Sequence, residues 1–207
     1  MKKHYITGLV FTLLFAVAGA TFMQRAVSAG DTPTSGAIIG QPIADFTLPD
    51  ADGNKHSLAS LKGKNGTVFI FIATRCPVSN GYNARMEKIS QDYKARGVNV
   101  VGINSNSTEP ADQVKAHAAE NHLSFKVLKD EGSKVADQLG AAVTPEAYLL
   151  DAAGKLVYHG RIDNSRNGDA ITSNDLRDAM DEVLAAKPVA KTGAKAFGCS
   201  IKRASAQ

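Results

Sequence analysis

Apolar residues are spaced along the chain in two alternating rhythms. Residues 67–73 (TVFIFIA) form an unbroken β-branched and aromatic run of strand length, the pattern of a strand buried on both faces in a parallel or mixed sheet. Immediately after it, Tyr82, Met86, Ile89 and Tyr93 recur four, three and four positions apart, which predicts a helix from Pro77 to about Arg96, stopped by Gly97. The rhythm then repeats: a strand over 98–104 (VNVVGIN), a helix over 110–121, a short strand over 125–128 and a short helix over 133–139 before Gly140. Strands over 147–151 and 156–163 flank the tight turn Ala152-Ala153-Gly154-Lys155 and read as an antiparallel pair, and a last helix covers 174–186. Upstream, 45–48 and 55–58 enclose the turn Asp50-Ala51-Asp52-Gly53-Asn54, an N-terminal β-hairpin. Strand-helix-strand-helix order followed by a hairpin and a closing helix is an α/β sandwich with a mixed central sheet.

Both ends of the chain depart from this pattern. Lys2 and Lys3 precede an uncharged apolar run over 6–22, and Val27-Ser28-Ala29 offers small residues for cleavage, the layout of a secretory signal over 1–29. The alternative is an uncut membrane anchor, since such a run sits at the lower limit of a bilayer span. Residues 30–40, rich in Thr, Pro, Ser and Gly, read as a linker, 41–186 as the folded domain, and 187–207 as a tail without periodicity whose default is disorder. Within that tail, Phe197-Gly198-Cys199-Ser200-Ile201 has the composition of a segment that docks.

Charge follows the same division. The formal net charge of +4 includes Lys2, Lys3 and Arg25 of the leader, without which 21 basic residues face 20 acidic ones. Five of the basic residues, Lys187, Lys191, Lys195, Lys202 and Arg203, follow the last acidic residue, Glu182. Five dispersed charges with no aromatic platform do not suit nucleic acid. Export makes the compartment oxidising, where the two cysteines, Cys76 and Cys199, invite a disulfide.

Cys76 lies in the turn between the buried strand and its helix, at the carboxyl edge of the sheet where α/β proteins keep their sites. Free amides at the helix start, the helix dipole and the adjacent Arg75 all favour a thiolate there, and Pro77 suits the first helical position. Ser79 stands where a second cysteine would complete a Cys-x-x-Cys pair; its hydroxyl can bond a thiolate but cannot resolve a mixed disulfide, so resolution falls to Cys199 or to another molecule. Thr144-Pro145 opens the strand over 147–151, with either an ordinary strand-opening proline or a cis bond beside the thiol.

These residues resemble a family. Cys-Pro at a helix start, Thr144-Pro145 before a strand and the hairpin AYLLDAAGKLVYHGRID look like the thioredoxin fold. PIADFTLPDADGNKHSL, VVGINSN, VTPEAYLLDAAGKLVYHGRID and the terminal GCSIK are similar to peroxiredoxin-like redoxins of the alkyl hydroperoxide reductase/thiol-specific antioxidant group. The resemblance implies a thioredoxin-like three-layer sandwich with an N-terminal hairpin extension, Cys76 as reactive cysteine, Pro145 as a cis-proline and Cys199 as the distant partner. True peroxiredoxins carry Thr or Ser three residues before that cysteine and Pro seven before it, where this chain has Ala73 and Phe69; their peroxide-polarising arginine falls at Pro145, leaving Arg161 as a substitute.

The leading expectation is therefore a periplasmic or secreted thiol-disulfide oxidoreductase that needs no cofactor. Its substrates are protein or small-molecule disulfides or peroxides, its reductant is an external thiol, and it meets a membrane only if the leader is uncut. The alternative is a non-enzymatic copper-binding or redox-sensing module, with His159 the one histidine placed to join the two sulfurs. A Cys76–Cys199 structural staple without turnover is the third reading. His117 and His122 are five apart and diverge on a helix, so they chelate nothing together.

Overall fold

The computed structural model describes residues 36–204 together with Met1. The expected signal, the first part of the linker and residues 205–207 lie outside the described residues.

Among the described residues, ten short strands and six α-helices follow one another as β1 (Thr47–Pro49), β2 (Lys55–Ser57), α1 (Leu58–Leu61), β3 (Gly66–Phe71), α2 (Pro77–Gly81), α3 (Asn83–Lys94), β4 (Val98–Asn104), α4 (Ala111–Glu120), β5 (Lys126–Lys129), α5 (Lys134–Leu139), β6 (Val143–Thr144), β7 (Glu146–Asp151), β8 (Leu156–Gly160), α6 (Asp175–Leu184), β9 (Gly193–Ala194) and β10 (Cys199–Ser200). The central sheet has the order β5-β4-β3-β7-β8-β9. Its β3-β4 and β4-β5 pairs are parallel, while β3-β7 and β7-β8 are antiparallel.

Alternation along the strands builds the layers. Phe69 and Phe71 of β3 point to one face with Val101, Ile103, Tyr148 and Leu150, where α1, α5 and the N-terminal hairpin cover them. Val68 and Ile70 point to the other with Val100 and Leu149, where Tyr82, Met86, Ile89 and Tyr93 meet Leu176, Ala179 and Met180 of α6. A period of two in a doubly covered strand therefore appears as a continuous apolar run, because both sets of side chains enter a core.

Three features differ from the sequence expectation. The helix over 77–96 is two helices: Gly81 weakens it, and the Tyr82 amide bonds back to the Ser79 carbonyl at 3.0 Å, a tighter step than the α-helical one. The strand expected over 156–163 ends at Gly160, after which the Asp163 carboxylate is taken by Arg85. The tail is not disordered over its described length: β9 adds to the edge of the central sheet beside β8, and β10 pairs antiparallel with β6. Its aromatic and branched residues supply the driving force, since Ile201 is 6% exposed within one core layer and Phe197 packs on the other. Among the described residues no helix is long and apolar enough to cross a membrane.

Candidate active site

β3 delivers the chain to the carboxyl edge of the sheet, and Cys76 caps the helix that follows. Its backbone is extended (φ −92°, ψ 114°), Pro77 occupies the first helical turn, and the sulfur accepts the Ser79 amide at 3.3 Å. A helix start with a proline has one fewer orphan amide, and the cysteine satisfies another. Cys76 is only 3% exposed.

The other wall comes from β6 and the tail. The Thr144-Pro145 peptide is cis, and the Thr144 carbonyl faces the thiol, which donates to it at 3.4 Å. Cys199 is the register partner of Thr144 in the β6-β10 pair. Gly198 lies so close to this wall that a methyl group there would fall 1.9 Å from the Thr144 oxygen. This pairing brings the second thiol onto the first. No disulfide joins them, and each shifts the ionisation of the other.

Electrostatics divides the two sulfurs. Burial pushes the Cys76 thiol up, but hydrogen bonds from the Cys199 thiol, the Ser79 amide, the Thr144 side chain and the Cys199 amide outweigh it, so its pKa is lowered. Cys199 is pushed the other way, by its bond to the Cys76 sulfur and then by burial. Of the two thiols, Cys76 is the one whose ionisation its surroundings favour.

The remaining sequence candidates divide by position. Pro77 and Ser79 stand in the first turn beside the sulfur, but Ser79 serves through its amide; its hydroxyl accepts from the Ala73 amide at 3.1 Å instead. Arg75 is adjacent in sequence with an exposed side chain, and its amide bonds to Glu109 at 3.1 Å. Arg161 donates its Nε to Asp175 at 2.7 Å, where that buried carboxylate needs countercharge. His159 stacks on Tyr148 with centroids 4.2 Å apart and its Nε2 bonds Glu146 at 2.6 Å. Among the described residues no three His, Cys, Asp or Glu side chains form a metal-holding group.

Sequence reasoning missed Glu109 and Glu146. Glu146 directly follows the cis-proline and accepts the Ala142 and Val143 amides at 2.8 and 3.1 Å, bracing β6. Glu109 does the same for the turn before Cys76, accepting the Thr74 and Arg75 amides. Each braces its segment through backbone amides, which leave no mark in the sequence.

Comparison with known proteins agrees with this geometry. A hypothetical protein from Sinorhizobium meliloti shares the fold with a TM-score of 0.77 at 38% identity, over 83% of this chain and 98% of that one. The thiol-disulfide oxidoreductase ResA of Halalkalibacterium halodurans is 32% identical over 75% of this chain and 85% of its own length. The chloroplastic peroxiredoxin Q of Populus jackii is 31% identical over 63% of this chain and 64% of its own. The AhpC/TSA family pattern matches residues 39–159. With a family match over more than half of the chain and a thioredoxin-like sheet that leads into the Cys76 turn, the chain belongs to the AhpC/TSA family of redoxins.

Proposed function

We propose that this redoxin is an exported thiol-disulfide oxidoreductase in which Cys76 attacks and Cys199 resolves. The observation that carries the reading is the β6-β10 pairing, which sets Cys199 opposite Thr144, the residue whose carbonyl meets the Cys76 sulfur at 3.4 Å. Cys76 thiolate attacks one sulfur of a substrate disulfide, which leaves as thiolate, and a mixed disulfide remains. Cys199 loses its proton and attacks the Cys76 sulfur, forming the Cys76–Cys199 disulfide and releasing the second substrate thiol. Two electrons have passed to the substrate, and an external dithiol returns them. With a peroxide, Cys76 would become a sulfenic acid, an alcohol would leave, and Cys199 would condense with the sulfenic acid, releasing water. Disulfides are the favoured substrate, because Arg161 is paired to Asp175 and a polarised O–O bond needs a donor at the sulfur. The leader over 1–29 supports an oxidising destination.

Alkylation and mass spectrometry of the protein after a stoichiometric disulfide challenge tests this. Wild type should yield a protein lacking two alkylatable thiols, Cys199→Ser a mixed disulfide on Cys76, and Cys76→Ser no intramolecular disulfide and a slower adduct on Cys199. Two freely alkylated cysteines in the treated wild type would overturn the cycle.

A further inference from the structure

The loop leaving β4 carries no sulfur, yet it holds both segments that do. On the thiol side, Glu109 is 2% exposed and accepts the Thr74 and Arg75 amides at 2.9 and 3.1 Å, the two amides before Cys76. On the tail side, Asn106 is 4% exposed and accepts the Lys202 amide through Oδ1 at 2.7 Å, three residues past Cys199. The Ser107 amide and hydroxyl both donate to the Lys202 carbonyl, at 2.8 and 2.9 Å. Asn104, at the start of the same loop, donates its side-chain amide to Glu109 Oε2, so one short segment reaches both halves.

Lys129 of β5, 5% exposed, fixes this loop from below by donating to Asn104 Oδ1 at 3.0 Å and to the Asn106 carbonyl at 2.6 Å. Burial raises the Glu109 pKa, but the Thr74 amide, the Asn104 side chain and the Arg75 amide outweigh it, and the carboxylate stays ionised. Burial lowers the Lys129 pKa, and Glu109 is the nearest opposing charge in effect. A buried carboxylate and a buried amine that both bond into one loop resist its displacement, because movement strands a buried polar group.

We infer that this loop is a clamp for disulfide closure and that Asn106 is its positioning residue, holding the tail so that Cys199 stays in reach of Cys76. The inference rests on the reading of Cys199 as the resolving thiol. The two sulfurs are 123 positions apart in the chain, so closure depends on how tightly the tail is tethered near Cys199. Asn106 supplies the first side-chain tether after Cys199, from the same loop whose Glu109 fixes the Cys76 turn.

The test uses dithionitrobenzoate, an aromatic disulfide, on the reduced protein. The first protein thiolate releases one thionitrobenzoate and leaves a mixed disulfide; the second attacks the protein sulfur of that adduct, releases the other thionitrobenzoate and closes Cys76–Cys199. The second phase reports closure whichever sulfur carries the adduct. Asn106→Ala should slow the second phase about fivefold, the weight of one ordinary hydrogen bond, and leave the first phase within twofold. Ser107→Ala, which keeps the amide bond and removes only an exposed hydroxyl, should slow it about twofold. Asn65→Ala, which loses a bond to the Arg96 carbonyl away from both cysteines, should change neither phase. Wild type releasing a single thionitrobenzoate would remove Cys199 as resolver. Two phases in wild type with an unaltered second phase in both loop variants, or equal slowing in Asn65→Ala, would overturn the clamp alone.

Discussion

Replacing Gly198 by alanine tests whether the tail is held by its fit against β6. Gly198 does not have a positive φ, so alanine fits its backbone conformation and the surroundings alone decide the outcome. A Cβ would stand 1.9 Å from the Thr144 oxygen, 2.6 Å from its carbonyl carbon and 3.3 Å from the Pro145 nitrogen. All three are backbone atoms next to β7, an interior strand of the central sheet, so the tail must retreat by about 1 Å to restore an acceptable contact. That retreat strains the Cys199-Thr144 pair and the Ile201 amide bond to the Ala142 carbonyl, 3.0 Å long. Two hydrogen bonds contribute about 1 kcal/mol each. Ile201, whose full burial stabilises by roughly 1.5–3 kcal/mol, is partly withdrawn with them. We expect a loss of about 2–4 kcal/mol in urea unfolding of the reduced protein, a midpoint lower by roughly 1–2 M at typical slopes. The closure phase should slow along with it. At a glycine with open surroundings the same change would stabilise by about 0.4–1 kcal/mol through the unfolded chain, so the sign is decisive. A Gly198→Ala protein as stable as wild type and closing at the wild-type rate would refute the packing account of the tail.

Two further outcomes follow from the ionisations. Cys199→Ala removes the strongest of the bonds that oppose burial at Cys76, so the pH midpoint for iodoacetamide alkylation of Cys76 should rise, while Cys199→Ser keeps a donor and should stay nearer wild type; equal midpoints in all three proteins would contradict the assignment. Asp175 is raised by burial but brought down to about 2 by Arg161 and Lys191, so its contribution is complete above the ordinary carboxylate range and is lost as pH falls toward 2. Asp175→Asn should accordingly cost about 2 kcal/mol at neutral pH, with the gap to wild type closing below about pH 4; a gap that does not change with pH would refute the ion-pair origin.

Where neighbouring residues in sequence make the decision, the fold was readable. The strand over 98–104 coincides with β4, and the apolar run in β3 marks an interior strand, because each strand there presents two buried faces whatever its partners are. The tail was not readable in the same way. Its strands are two residues long, too short to show a period, and they form only because Phe197 and Ile201 find separate core layers on either side of the sheet. The site divides along the same line. Cys76 at a strand end before Pro77 is visible from residue order, but which atom of Ser79 meets the sulfur is not, since amide and hydroxyl lie on one residue and the Ala73 amide competes for the hydroxyl.

Glu109 shows why such residues escape a sequence reading. In SNSTEP it has the look of a solvated loop carboxylate, yet it is buried because the Thr74 and Arg75 amides, 35 and 34 positions earlier, have no strand or helix partner and need an acceptor. A turn built to expose amides to a thiolate has to leave its preceding amides outside regular pairing. A buried acceptor from elsewhere in the chain is then a consequence of the chemistry at Cys76. Glu146 fits the same logic at β6, where a two-residue strand paired only with the tail leaves the Val143 amide and its neighbour Ala142 to a carboxylate one residue beyond the cis-proline. In both walls of the site, the chain segment that presents a sulfur contact is too irregular to satisfy its own backbone, and a carboxylate distant from the sulfur completes it.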